Sequence, residues 1–124
     1  MSRAFLDTLT GDDWPRIDGA DVDGNSATLA VVPHADLNWF RGHFPGHPVL
    51  PGVVQTHWAS LFGRGLLGVT GAFSHIENLK FERVITPDTA LTVSLDYDAD
   101  RHRLLFSYAD DDGRYSSGRI YFTA

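Results

Sequence analysis

The residues with the clearest chemical potential lie in one run, His43-Phe44-Pro45-Gly46-His47-Pro48-Val49-Leu50-Pro51-Gly52. Three prolines hold φ at about −65°, and two glycines permit close approach or positive φ. Such a stretch is neither a regular helix nor a central strand. A histidine is therefore carried on restricted, non-helical backbone. The residues that follow, Val53-Val54-Gln55-Thr56-His57-Trp58-Ala59-Ser60-Leu61-Phe62, read as a helix. Its first N–H groups are free to meet a carbonyl oxygen or an anion, so His43 beside them makes a proton-transfer site. The i, i+4 spacing of His43 and His47 would suggest a metal on a helix, but Pro45-Gly46 and Pro48 rule that helix out. No metal and no cofactor are expected.

The positioning elements are legible on both sides of the loop. Upstream, Arg16 to Asp23 and Ser26 to Val32 read as a strand hairpin turning at Gly24-Asn25. The first fifteen residues form a short helical or irregular lead-in, ending at Trp14-Pro15. Downstream, the helix opens at Pro51 and stops at Gly68. At 100° per residue, Val54, Trp58, Leu61, Phe62 and Leu66 share one face, and Thr56, His57, Ser60 and Arg64 the other. Strands are then predicted at 74–86, 89–97, 102–108 and 114–122, with a turn at Asp111-Asp112-Gly113. One long buried helix with antiparallel hairpins is an α+β order, in which the sheet needs the helix to cover its apolar face.

Composition narrows the function. At 124 residues the chain is expected to be one domain, spanning 1–124, able to bury roughly two-thirds of its unfolded surface. It contains no cysteine, which excludes a disulfide framework, a thiolate nucleophile and a zinc–thiolate site. With no signal-like or membrane-length apolar run, the expectation is a soluble, cytoplasmic protein with no membrane partner. A net charge of −6 argues against nucleic acid. Residues 1–40 hold seven acids against Arg3 and Arg16, while residues 41–87 hold only Glu77 and Glu82 against Arg41, Arg64, Lys80 and Arg83. The motif region is locally basic, which would suit an anionic carrier; scattered surface arginines are the plainer reading.

The run His43 to Val53 resembles the active-site segment of the 3-hydroxyacyl-[acyl carrier protein] dehydratases of the hotdog fold. The stretch Ile76-Glu77-Asn78-Leu79-Lys80-Phe81-Glu82-Arg83-Val84-Ile85-Thr86-Pro87 is similar to the strand after the helix in that family. The runs Leu37 to Phe40, Gln55 to Trp58 and Ser116 to Phe122 look most like the branch serving aryl polyene and related pigment pathways. The resemblance covers roughly residues 26–122. It implies a hotdog, with an antiparallel sheet wrapped around one long central helix. It also implies dehydration of 3-hydroxyacyl thioesters to trans-2-enoyl thioesters, in fatty acid or aryl polyene biosynthesis. The expected partners are an acyl carrier protein or coenzyme A thioester, and a second hotdog subunit, identical or homologous, with sites between subunits.

Carried over residue by residue, His43 matches the family's histidine base, a role that imidazole fills near neutrality without large tuning. The Gly52 and Val53 amides match the donors that hold the substrate carbonyl as it becomes an enolate. His57 is a departure, because the family carries Glu or Asp there, the acid that helps the hydroxyl leave. No Asp or Glu lies between Asp36 and Glu77. Either His57 takes that role, the acid comes from elsewhere, or the subunit is impaired and serves as a passive partner. A hotdog thioesterase is a further alternative, but it commonly needs a carboxylate to activate water. His34, His75 and His102 read as structural or surface residues. Trp39, Phe40, Phe44, Trp58, Phe62 and Phe81 could wall an acyl tunnel, with plain core the simpler role.

Overall fold

The computed structural model describes residues 2–41, 46 and 48–124, including the side chains of all of these but Ser2 and Arg3. A short helix α1 (Ser2–Leu6) precedes a hairpin of β1 (Arg16–Asp23) and β2 (Ser26–Val32). Helix α2 (Gly52–Leu67) follows, and then β3 (Phe73–Phe81), β4 (Leu91–Asp98), β5 (Arg103–Asp110) and β6 (Gly113–Phe122). The six strands form one sheet in the order β1-β2-β4-β5-β6-β3, every neighbouring pair antiparallel. The helix packs on β2, β4 and β5, at the middle of the sheet. This is the hotdog arrangement the resemblance implied.

Period-two burial explains which face curls inward. Leu91, Val93, Leu95 and Tyr97 of β4 are buried, as are Ala27, Leu29 and Val31 of β2 and Leu104, Phe106 and Tyr108 of β5. Against them α2 sets Val54, Trp58, Ala59, Phe62 and Leu66. Each large side chain so buried contributes about 1.5–3 kcal/mol. Gly68 ends the helix in the left-handed region at φ 71°, where glycine carries no Cβ penalty.

The β1–β2 hairpin lies where its residues predict. Other boundaries differ for local reasons. Pro51 is the extended residue before α2 and Gly52 the first helical one, so proline caps the helix from outside. Leu61 was expected inward but is only half-buried, while Gln55 and Gly63 are buried in the inner face. Strand β3 stops at Phe81, short of Thr86, because the N–H groups of Glu82 and Arg83 both donate to the Tyr115 carbonyl, at 2.8 and 3.2 Å. A turn over Thr86–Thr89, closed by Thr89 Oγ1 donating to Thr86 O at 2.9 Å, delays β4 to Leu91. Strand β5 begins at Arg103 because His102, at φ 52°, closes the 3-10 turn over Ala99–Arg101.

Candidate active site

The helix start is pinned through Leu50, which is buried and tied on both sides. Its N–H donates to the Ile85 carbonyl at 2.8 Å, and its own carbonyl accepts from Gln55 Nε2 at 3.2 Å. Gln55, only 3 % exposed, is the centre of this arrangement. Its Oε1 accepts from the buried Ser116 hydroxyl at 2.6 Å, and its backbone carbonyl accepts from the Tyr108 hydroxyl at 2.7 Å. Burial pushes the Tyr108 hydroxyl far above its ordinary range, so it remains a donor. Two strands and one connecting segment thus hold the chain immediately before Pro51-Gly52.

The first helical amide that reaches back is Val54, which donates to Pro51 O at 3.1 Å. The N–H groups of Gly52 and Val53 precede it in the first turn, and neither has a hydrogen-bond acceptor among the described residues. They remain available for an incoming oxygen. Gly52 is required by a close approach: the Phe81 ring lies where a side chain at residue 52 would stand. Its φ is not positive, so of the two roles expected of a glycine here, close approach or positive φ, the structure shows close approach, by β3.

His57 is exposed on α2, one turn beyond Val53, which is itself 74 % exposed. Residues four apart share a helix face, so the side chains of Val53 and His57 lie along one side of α2. The ring of His57 stacks on Trp14, with centroids 6.1 Å apart and planes at 24°. His43 lies outside the described residues, as do Phe44 and His47. Among the described residues no cluster of His, Asp and Glu has the grouping of a metal site.

The other histidines have local partners. His34 Nε2 donates to the Trp14 carbonyl at 3.2 Å, and His75 lies 3.1 Å from Glu77 and stacks on Tyr121. His102 closes a turn. Phe40, Trp58 and Phe62 are core, Trp39 is half-buried, and Phe81 is half-exposed beside Gly52. A cavity of about 550 Å3 opens on the outer face of the sheet over the register row Thr28, Ser94, Ser107 and Ser117, opposite α2. It does not contain the helix start.

Two contributors escaped the sequence reading. Gln55 was taken only as part of the helix, although a glutamine one position after the inward Val54 is a polar residue entering a core, which demands partners. Asp13 was counted only as lead-in, yet its carbonyl accepts from the indole N–H of both Trp39 and Trp58, at 2.9 and 3.0 Å. Its carboxylate accepts from Asn38 Nδ2 at 2.9 Å. A carboxylate from the lead-in therefore stands one residue from the Trp14–His57 stack, although the loop and helix contain none.

A family model described as ApeI-like, ApeI dehydratase, matches residues 19–119. The chain belongs to the ApeI-like family. The matched ApeI-like span takes in the loop, the helix start, Gln55, His57 and β3, whereas Asp13 and Trp14 precede it. One chain of the dehydratase heterocomplex ApeI:P from Xenorhabdus doucetiae superposes with a TM-score of 0.83 at 33% identity, over 89% of this chain and 98% of that one. An uncharacterized protein from Erwinia carotovora subsp. atroseptica gives 0.77, also at 33% identity, over 88% and 95%. A 3-hydroxyacyl-[acyl-carrier-protein] dehydratase FabZ from Erythrobacter litoralis is 35% identical over 75 residues, 53% of this chain and 50% of that protein. The chain spans about half the length of the curated relatives it matches. No helix among the described residues is long and apolar enough to cross a membrane.

Proposed function

We propose that this protein removes water from 3-hydroxyacyl thioesters borne on an acyl carrier protein, giving trans-2-enoyl thioesters for fatty acid or aryl polyene synthesis. The observation that carries this reading is the pinned helix start, with the free Gly52 and Val53 amides directly after the His43 loop, in a member of the ApeI-like family. In the proposed mechanism His43 takes the α proton. The carbonyl oxygen gains charge and is held by the two amides, donors fixed before reaction and worth roughly 100- to 1000-fold each. The C–O bond at the 3-position then breaks as protonated His57 gives its proton to the departing hydroxyl, so that water leaves. Proton return from His43 to His57 through solvent restores the site.

The partner we propose is a second hotdog subunit, identical or homologous, docked along β3. That strand is the sheet edge beyond β6, and Phe73, Leu79 and Phe81 on it are exposed, with Val84 and Val53 nearby in the chain and site. An unpaired apolar edge invites a further strand. A heterocomplex among the structural relatives supports a homologous subunit as one occupant, and keeps a second reading open, in which this chain supplies half a site or only structure. The test is mass spectrometry of a panel of 3-hydroxyacyl carrier proteins incubated with the chain, alone and with such a subunit. Loss of one water is expected. Loss of the whole acyl group would establish a thioesterase, and turnover indifferent to this chain would establish a passive partner.

A further inference from the structure

We infer that Trp14 is a positioning residue for His57, its indole face fixing the imidazole on the face of α2 that it shares with Val53 at the helix start. This rests on the reading of His57 as the proton donor. The stack is within the 4.5–7 Å range in which aromatic pairs attract, and Trp14 also leans on Phe62, with centroids 6.4 Å apart. Phe62 is fully buried, so Trp14 connects a core residue on one side to the exposed His57 on the other.

The segment bearing Trp14 is tied down far more heavily than a lead-in needs. Asn38 donates through its backbone to Asp12 O at 2.8 Å and through its side chain to Asp13. The Asp13 carbonyl takes both indole N–H groups, and the Trp14 carbonyl takes His34 Nε2. Pro15 then fixes the exit of the chain. An exposed histidine would otherwise sample several rotamers, and orientation of a reacting group is worth orders of magnitude in rate. These contacts come from residues 12–14, ahead of the span 19–119 matched by the family model.

The test combines NMR with kinetics on Trp14→Leu, Trp14→Phe and His57→Ala, in whichever assembly dehydrates. Trp14→Leu should remove the ring-current shift of the His57 imidazole protons and lower kcat about ten- to a hundredfold with KM little changed. Trp14→Phe, which keeps a ring against Phe62, should retain part of the shift and most of kcat, and it serves as the test should the leucine variant not fold. Combined with His57→Ala, loss of Trp14 should cost no further kcat. An unshifted His57 signal in Trp14→Leu or, should that variant not fold, one unchanged in Trp14→Phe would overturn the contact. A lost shift with unchanged kcat would overturn the positioning role while His57→Ala still slows the reaction. Indifference to His57→Ala itself would overturn the reading beneath it, and the positioning role with it.

Discussion

Gln55 hands its side-chain amide hydrogen to Leu50 O at 3.2 Å and receives the Ser116 hydroxyl at 2.6 Å, so one buried residue joins the loop, the helix and β6. Gln55→Leu keeps the bulk and removes both partners. Each buried group left unsatisfied costs about 1–3 kcal/mol, and the Gly52 and Val53 amides lose their fixed direction. Urea unfolding should show a lower midpoint with unchanged slope, and turnover should fall in the protein that remains folded. A midpoint equal to the parent's would mean that the helix start is held by packing alone.

His43→Ala should remove nearly all turnover, about 100- to 10,000-fold, with the fold intact, because general-base catalysis typically supplies that much. Circular dichroism alongside the mass-spectrometric assay separates the two effects. Activity within a few-fold of the parent would make His43 structural.

His57→Ala should slow dehydration strongly if the imidazole donates the proton, and His57→Glu should keep or improve it by supplying the carboxylic acid of the family pattern. In a mixed complex where this chain is passive, neither substitution changes the rate. The pair of variants thus separates the enzyme from the partner in one assay.

Asp110 gives a pH signature of stability. The Tyr115 hydroxyl, 2.5 Å away, and the Arg83 guanidinium, at 2.8 Å, pull its carboxyl from 3.8 to about 2. The folded state therefore favours the ionised form. Its contribution is fully present above about pH 4 and is lost as the pH falls through about 2. Thermal melts should show Asp110→Asn losing less stability than the parent between those limits, and equal slopes would refute the linkage. Arg83 also donates to the Gly113 carbonyl at 2.7 Å and lies over the Tyr115 ring, so Asp110 anchors the segment that leads to Ile85 and Leu50.

Self-association or pairing with a homologous subunit should weaken when the exposed edge is charged. Val84→Glu and Phe73→Glu alter side chains that are more than half exposed, so the monomer should keep its melting behaviour. Sedimentation should show a shift toward monomer for both variants. A parent that is strictly monomeric and fully active would remove the subunit pairing from the mechanism.

The local signals that the sequence determined by itself were those with a short-range cause. Proline fixes φ and glycine frees it wherever they stand, so the stop at Gly68 and the Gly24-Asn25 turn were readable from residue types. Alternation and helical periodicity are likewise local, and they located the β1–β2 hairpin, α2 and the later strands to within a few residues, with the α+β order following from them. The strand ends were decided elsewhere: β3 stops where Tyr115, far along the chain, takes the N–H groups of Glu82 and Arg83. The same reason hid the supports of the site. Gln55 meets Ser116 and Tyr108, and Trp14 meets His57, only because the sheet curls around α2 and the lead-in crosses it. Contacts between residues more than forty positions apart leave no spacing to read, since nothing in either segment alone requires the other.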